Sequence, residues 1–408
     1  MAVGPGSVFP LRPVTGVRLG TARAGIRKPG RRDIVVLELA PGTRVAGRFT
    51  RNAFRAAPVL LAIEHLEASR GEPRYLLVNT GNANAGTGDA GLAHARQSCA
   101  ELARLGGVSP QAVLPFSTGV IGEPLPVERL LAALPEALGN LAADGWELAA
   151  EGIMTTDTRP KGASRRIDLD GVPVTISGIT KGAGMIRPDM ATMLGYIATD
   201  ALITAPLLDF ALGRALERSF NAVTVDGDTS TNDACVLAAT GLAANAELRF
   251  PDDPRFVLFE EALASLCIEL AQALVRDAEG ATKFVAVVVE GGRDIAECRR
   301  AAYAVAESPL VKTALFASDP NWGRILAATG RAGVDSLDVS RVAVSLNGIA
   351  IATGGARDPG YTEEAGQRAM SAEEIEIRIS LGRGEATATV WTSDLSHDYV
   401  RINAEYRS

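Results

Sequence analysis

Helical and strand-like periodicities alternate irregularly along this chain, with no fixed-period repeat and no low-complexity linker between them. That irregularity argues against a solenoid and against a clean βαβ series, and predicts layered α/β or α+β packing. RRDIVVLELAPGTRVAGRFT reads as a hairpin-like pair broken at APGT. RYLLVNTGNANAG reads as a strand entering an Asn/Gly-rich loop, and GLAHARQSCAELARLGG as a helix stopped by glycines. GVPVTISGITKGAGMI reads as a strand running into a glycine-rich loop, followed by the apolar, strand-like MLGYIATDALIT. Helices are expected over PLLDFALGRALERSFNAV, over FVLFEEALASLCIELAQALVRDAEG, and from Ser308 as N-cap with Pro309 at the first position. The last stretch reads as strand-rich: RVAVSLNGIAI, EIEIRISLG, ATATVWTSDL and finally YVRINAEY.

With 408 residues, 47% of them hydrophobic, the chain can bury a large core in two or three domains or one bilobed unit. A net charge of −7 gives no global basic field, so a nucleic-acid partner is not expected. No apolar run approaches the ~18 residues of a membrane span. The first residues, MAVGPGSVFPLRPVTG, lack the basic and apolar regions of a secretory signal, so a cytoplasmic protein is expected. Cys99, Cys235, Cys267 and Cys298 are scattered and read as buried hydrophobes in a reducing compartment. His65 and His94 fall in helical contexts and His397 lies in DLSHDY; without HExxH-type spacing, no catalytic metal is expected.

Among the motifs, GTGDAG (86–91) matches GxGxxG, but TGNANA separates it from its strand, so a polar turn is expected instead of a dinucleotide site. PFSTGVIGEPLP puts Ser117, Thr118 and Gly119 in a small-residue turn, which is either a plain tight turn or a pair of donors for an oxyanion. VDGDTSTNDAC lacks the twelfth-position Glu of a calcium loop and reads as a buried polar loop shaping a site or an interface. RPDMATML (187–194) places Thr192 at the seam between the glycine-rich loop and the strand. A threonine hydroxyl needs a base, and a chain-terminal α-amine, with a pKa of about 7.7–8.0, is one recurrent base. Thr192 gains such an amine only if the Ala191–Thr192 bond is cut, for instance by attack of its own hydroxyl on the Ala191 carbonyl. An ordinary strand threonine is the alternative.

KGAGMIRPDMATMLGYIATDA, FSTGVIGEPLP, GDTSTNDAC, EGATKF, SDPNWGRILAA and YVRINAEYRS together resemble, in order and from end to end, the ornithine acetyltransferases of arginine biosynthesis, also called glutamate N-acetyltransferases. Asp189 stands where that family is expected to carry Asn. The resemblance implies an α/β/β/α sandwich of the aminopeptidase/ornithine acetyltransferase type. It further implies self-cleavage into an α chain, 1–191, and a β chain, 192–408, assembled as a heterotetramer. The implied chemistry is ping-pong acetyl transfer from N2-acetyl-L-ornithine to L-glutamate, with Thr192 as nucleophile, Thr118 and Gly119 as oxyanion hole, and no cofactor or metal. Thr155, Lys181, Thr192, Glu279, Asn403 and Ser408 carry over as substrate contacts; Lys181 suits a carboxylate and Glu279 an ammonium group. Some members also take acetyl-CoA as donor, a point on which this sequence, with few aromatics and no phosphate-gripping basic loop, is silent. The competing readings are an N-terminal-nucleophile aminopeptidase of related fold and an uncleaved, non-enzymatic homologue.

Overall fold

The computed structural model describes residues 2–187 and 193–405. Two sheets are stacked face to face. The first runs in the order β1 (Val17–Ala22), β2 (Ile34–Leu39), β4 (Tyr75–Asn82) and β5 (Val113–Val120). The second runs β3 (Arg44–Phe49), β9 (Ala234–Ala239), β8 (Leu194–Thr199), β7 (Val172–Lys181) and β6 (Lys161–Leu169). Alternation along each strand sends one set of side chains between the sheets. Leu37, Val78 and Phe116 from one sheet meet Ile179, Tyr196 and Val236 from the other. The rings of Phe116 and Tyr196 close that layer edge to face, 5.3 Å apart.

The opposite set of side chains is covered by helices. Val36, Leu77 and Val113 pack under α1 (Ala57–Ala68), α2 (Gly88–Gly106) and α3 (Val127–Gly139). Ile176, Ile197 and Leu237 pack under α5 (Ala205–Glu217) and the long α6 (Pro254–Arg276), while α4 (Trp146–Gly152) plugs the space between the sheets with Trp146. The layers are therefore α/β/β/α, as the family resemblance implied.

Residues beyond α6 build a further lobe. Its mixed sheet runs β13 (Ala356–Arg357), β12 (Ile349–Thr353), β11 (Ala343–Leu346), β14 (Glu374–Ser380), β10 (Phe284–Gly292) and β15 (Ala386–Ser393). One face of it carries α7 (Ile295–Ala306), α8 (Pro309–Phe316), α9 (Trp322–Gly330) and α10 (Glu363–Met370) over Val287, Val344 and Ile377.

Three segments depart from the expectation. β2 and β3 do not form a hairpin: β2 pairs with β1 and β4, β3 pairs with β9, and the turn at Gly42 (φ +79°) carries the chain from one sheet to the other. RVAVSLNGIAI is two strands, because Asn347 and Gly348, both at positive φ, make the tight turn that joins β11 to β12. YVRINAEY is not a strand; its described part lies in a helix, α11 (His397–Ala404). Ser396 caps that helix by accepting from the Tyr399 N–H, and Asp398 pairs with Arg401 one turn on. These local terms outweigh the β-propensity of Tyr399, Val400 and Ile402.

Candidate active site

The pocket lies where β5 and β7 end and β8 begins. At the end of β5, Thr118 is buried and Gly119 adopts φ +135°. Far from being a free turn, this segment stays paired with β4, and the register slips between Gly81 and Asn82. A Cβ on Gly119 would stand 2.3 Å from the Gly81 carbonyl carbon and 2.5 Å from the Asn82 nitrogen, so only glycine fits. The polar loop between α5 and β9 clamps this strand end: the Asn232 amide donates to the carbonyls of Ala83 (2.7 Å) and Ser117 (2.9 Å).

At the end of β7, Lys181 is 4% exposed. Burial lowers its pKa, opposed by the carboxylates of Asp157, Asp233 and Glu279 and abetted by the nearby Lys161 ammonium. Asp157 is held by three donors. Lys161 Nζ lies 2.6 Å from it, and the backbone N–H groups of Thr155 and Gly182 donate at 2.9 and 2.8 Å; Lys181 is a second cationic neighbour, felt electrostatically. Burial alone would raise the Asp157 pKa, but the two ammonium groups outweigh it and hold the carboxyl well below the usual range. Lys161 also reaches Asp277 at 2.6 Å, so the chain Asp277–Lys161–Asp157 ties the Thr155 loop and the end of β7 to the segment that carries Glu279. Asp233 behaves oppositely: burial raises its pKa well above the ordinary value against the pull of Lys181 and of the Met193 N–H. Among the described residues its Oδ2 has no hydrogen-bond partner.

Glu279 follows α6 and is anchored by its own N–H on the Ala183 carbonyl, 2.9 Å away. Its carboxylate accepts from the Asn403 amide at 2.8 Å, which docks α11 over the pocket, and Ser396 secures that helix on the Gly280 carbonyl. Thr118, Gly119, Thr155, Lys181, Glu279 and Asn403 thus line one cavity of about 250 Å³, a size suited to an amino-acid derivative. Ala191, Thr192, Ser408 and Asp189 lie outside the described residues.

Sequence reasoning missed the ion chain of Asp157, Lys161 and Asp277; its members are ordinary residues until the fold buries them together. It also missed a neighbouring cavity of about 210 Å³ that shares Gly119 and Thr155. Arg31 lines that cavity and holds the loop below it through the carbonyls of Met154 (2.6 Å) and Thr155 (3.1 Å). The histidines stand elsewhere: His65 meets the Val113 carbonyl through Nδ1, and His397 packs edge-on against Phe316. All four cysteines are buried and free, and burial pushes the Cys235 thiol up to about 12. Among the described residues no group of three or more His, Cys, Asp or Glu is arranged to hold a metal ion, and no helix is long and apolar enough to cross a membrane.

A buried cation, a carboxylate and an amide converge beside a strand end that only glycine can form, inside an α/β/β/α sandwich, and their chemistry suits a small charged ligand. The chain belongs to the ArgJ family, whose model matches residues 18–408. It is 58% identical over 408 residues, with 100% of both chains covered, to a protein of Pseudomonas syringae pv. tomato named arginine biosynthesis bifunctional protein ArgJ, and equally to one of that name from Pseudomonas fluorescens. Among solved structures, an arginine biosynthesis bifunctional protein ArgJ from Bacillus halodurans is 38% identical, covering 50% of this chain and 95% of its own, with a TM-score of 0.49. An ornithine acetyltransferase from Mycobacterium tuberculosis, complexed with ornithine, is 30% identical over 43% of this chain and 92% of its own, at a TM-score of 0.37.

Proposed function

We propose that the chain moves an acetyl group from N2-acetyl-L-ornithine to L-glutamate through an acyl-enzyme on Thr192, and that it also accepts the acetyl group of acetyl-CoA. Membership of the ArgJ family favours this reading over an aminopeptidase, and relatives 58% identical carry the name bifunctional. The observation that carries it is the convergence of Thr118 and Gly119 with Lys181, Glu279 and Asn403 on one cavity, next to the head of β8, which Thr192 precedes by two residues.

The Ala191–Thr192 bond breaks first. The Thr192 hydroxyl adds to the Ala191 carbonyl, the C–N bond opens to an ester, and water releases chains 1–191 and 192–408. They stay together because β7 of the first pairs with β8 of the second in mid-sheet; the working protein is an αβ heterotetramer in the cytoplasm. In turnover the freed α-amine takes the Thr192 hydroxyl proton as the oxygen attacks the acetyl carbonyl. The Thr118 hydroxyl and Gly119 N–H stabilise the oxyanion, and the proton passes to the departing ornithine amine. Glutamate's amine then attacks the ester, and Thr192 is regenerated. Lys181 meets the substrate carboxylate, Glu279 its ammonium group; Thr155, Asn403 and Ser408 complete the contacts. Neither a cofactor nor a metal takes part.

Incubation with N-acetylornithine and no acceptor tests this directly. One acetyl mass on fragment 192–408, mapped to Thr192, is expected, together with parallel initial-rate lines for the two substrates; intersecting lines and no acetylated peptide would refute the acyl-enzyme. Thr118→Ala is expected to lower kcat by about 10²–10³ with little change in KM, the loss typical of one oxyanion donor. Deleting 403–408 is expected to leave two chains on a denaturing gel but to abolish transfer, since α11 buries none of its side chains yet supplies Asn403 to the pocket. Near-normal turnover by the cleaved, truncated protein would remove the tail from the site.

A further inference from the structure

The polar loop between α5 and β9 ends in a carboxyl that takes no part in the transfer steps. Asp233 stands at the head of β9 and is 1% exposed. β8 and β9 run parallel with Leu194 beside Ala234, and the Ala234 N–H donates to the Met193 carbonyl at 3.2 Å. One step back, Asp233 is therefore the neighbour of Met193, the residue that follows Thr192. On the other flank of β8, Lys181 stands beside Leu194. Cys235, on the same face of β9 as Asp233, packs with Met193 in the apolar core under α5 and α6. A carboxyl in such a place costs stability unless donors satisfy both of its oxygens. The Met193 N–H and Ser230 lie close to it, yet among the described residues Oδ2 has no hydrogen-bond partner. The charged group that faces it is Lys181, with Asp157, Lys161 and Glu279 beyond. Burial outweighs the pull of Lys181, so Asp233 keeps its proton to higher pH than an ordinary carboxyl does.

We propose that Asp233 is the proton donor of self-cleavage: its carboxyl protonates the Thr192 nitrogen as the bond to Ala191 opens, a role that rests on the cleavage reading above. The Thr192 oxygen bonds to the Ala191 carbonyl carbon and releases its proton to water. The electron pair of the breaking C–N bond moves to nitrogen, which takes the Asp233 proton and becomes the α-amine. Water then returns a proton to Asp233, so the acid is regenerated and the charges balance. An amide nitrogen leaves poorly unless it is protonated as it leaves, and an acid positioned beside the backbone at this point supplies that proton.

The test times the cutting of purified Thr192→Ser precursor, whose slower reaction can be followed on a denaturing gel, with and without Asp233→Asn. Asparagine keeps the size of the side chain but has no carboxyl proton to give. Asp233→Asn is expected to slow cutting by about 10²–10⁴, the range of one general acid, and Asp233→Glu to keep part of the rate. With Asp233 present, the rate is expected to fall as pH rises through a value above the ordinary carboxyl range; in the Asn variant that fall is absent. Hydroxylamine, which opens esters and leaves amides, is expected not to restore cutting in the Asn variant, because the ester does not form. The denaturant midpoint of Asp233→Asn is expected to match or exceed that of its parent, since a neutral amide is cheaper to bury than an ionisable carboxyl. The role is overturned if the Asn variant cuts at the parental rate, if hydroxylamine rescues it, or if slow cutting comes with a lowered midpoint and an unchanged pH profile. Normal cutting with a raised KM for substrate also overturns it and makes Asp233 a charge partner of Lys181 alone. A wild type with no cut before residue 192 overturns the cleavage reading and this role together, whereas a wild type cut there and an unaffected Asn variant overturn the role only.

Discussion

Thr192→Ala is expected to remain a single chain of 408 residues and to lose acetyl transfer by about 10⁴ or more, the scale on which removal of a catalytic nucleophile acts. Two steps fail together: no hydroxyl is left to open the Ala191–Thr192 bond, and none to accept the acetyl group. Thr192→Ser keeps both and should still yield two chains, more slowly. A denaturing gel and N-terminal sequencing of the larger fragment decide the matter; a fragment that starts anywhere but residue 192 sinks the cleavage mechanism. The same gel separates the non-enzymatic reading, which requires one intact band from the wild type.

Asp157→Asn is expected to give the largest loss of stability at a residue outside the proposed contacts. Asp157 lies between Lys161 and Lys181 with almost no water, and removing one partner from a buried ion group costs up to about 3–5 kcal/mol; Lys161 keeps Asp277, but Lys181 loses the carboxylate that most favours its charge. The effect should reach turnover too, as a higher KM, because Asp157 positions both the Thr155 N–H and Lys181. Its sign with pH follows from a carboxyl pKa below the ordinary one. The stabilisation is complete above the unfolded value of about 3.9 and is lost as pH falls toward the lower folded value. Denaturant midpoints of wild type and variant are therefore expected to lie far apart at neutral pH and to converge below about pH 4. A gap that stayed constant on acidification would assign the loss to packing and not to the ion chain.

Much of the layering was legible before any coordinates. The segment MLGYIATDALIT carries a dense apolar run, and the helix at Ser308–Pro309 carries its own start signal, which the structure uses: Ser308 accepts from the Val311 N–H. Where local signals conflicted, the reading failed. Alternating β-branched and polar residues in YVRINAEY favoured a strand, while the Ser396 cap and an Asp398–Arg401 pair made it a helix.

By itself the sequence determined the family, through six short blocks, and with it the α/β/β/α order and the residues to watch; Thr118, Gly119, Thr155, Lys181, Glu279 and Asn403 do share one cavity. Only the tertiary structure decided which sheet each strand entered: β2 and β3 are neighbours in sequence, yet they part because their partners β4 and β9 lie in different layers. It alone decided the electrostatics. Asp157, Lys161 and Asp277 become a buried ion chain because folding removes water from around charges far apart in sequence. A net charge counts those charges without their positions, and the strength of their interaction depends on distance and solvent exclusion, which only the folded chain sets.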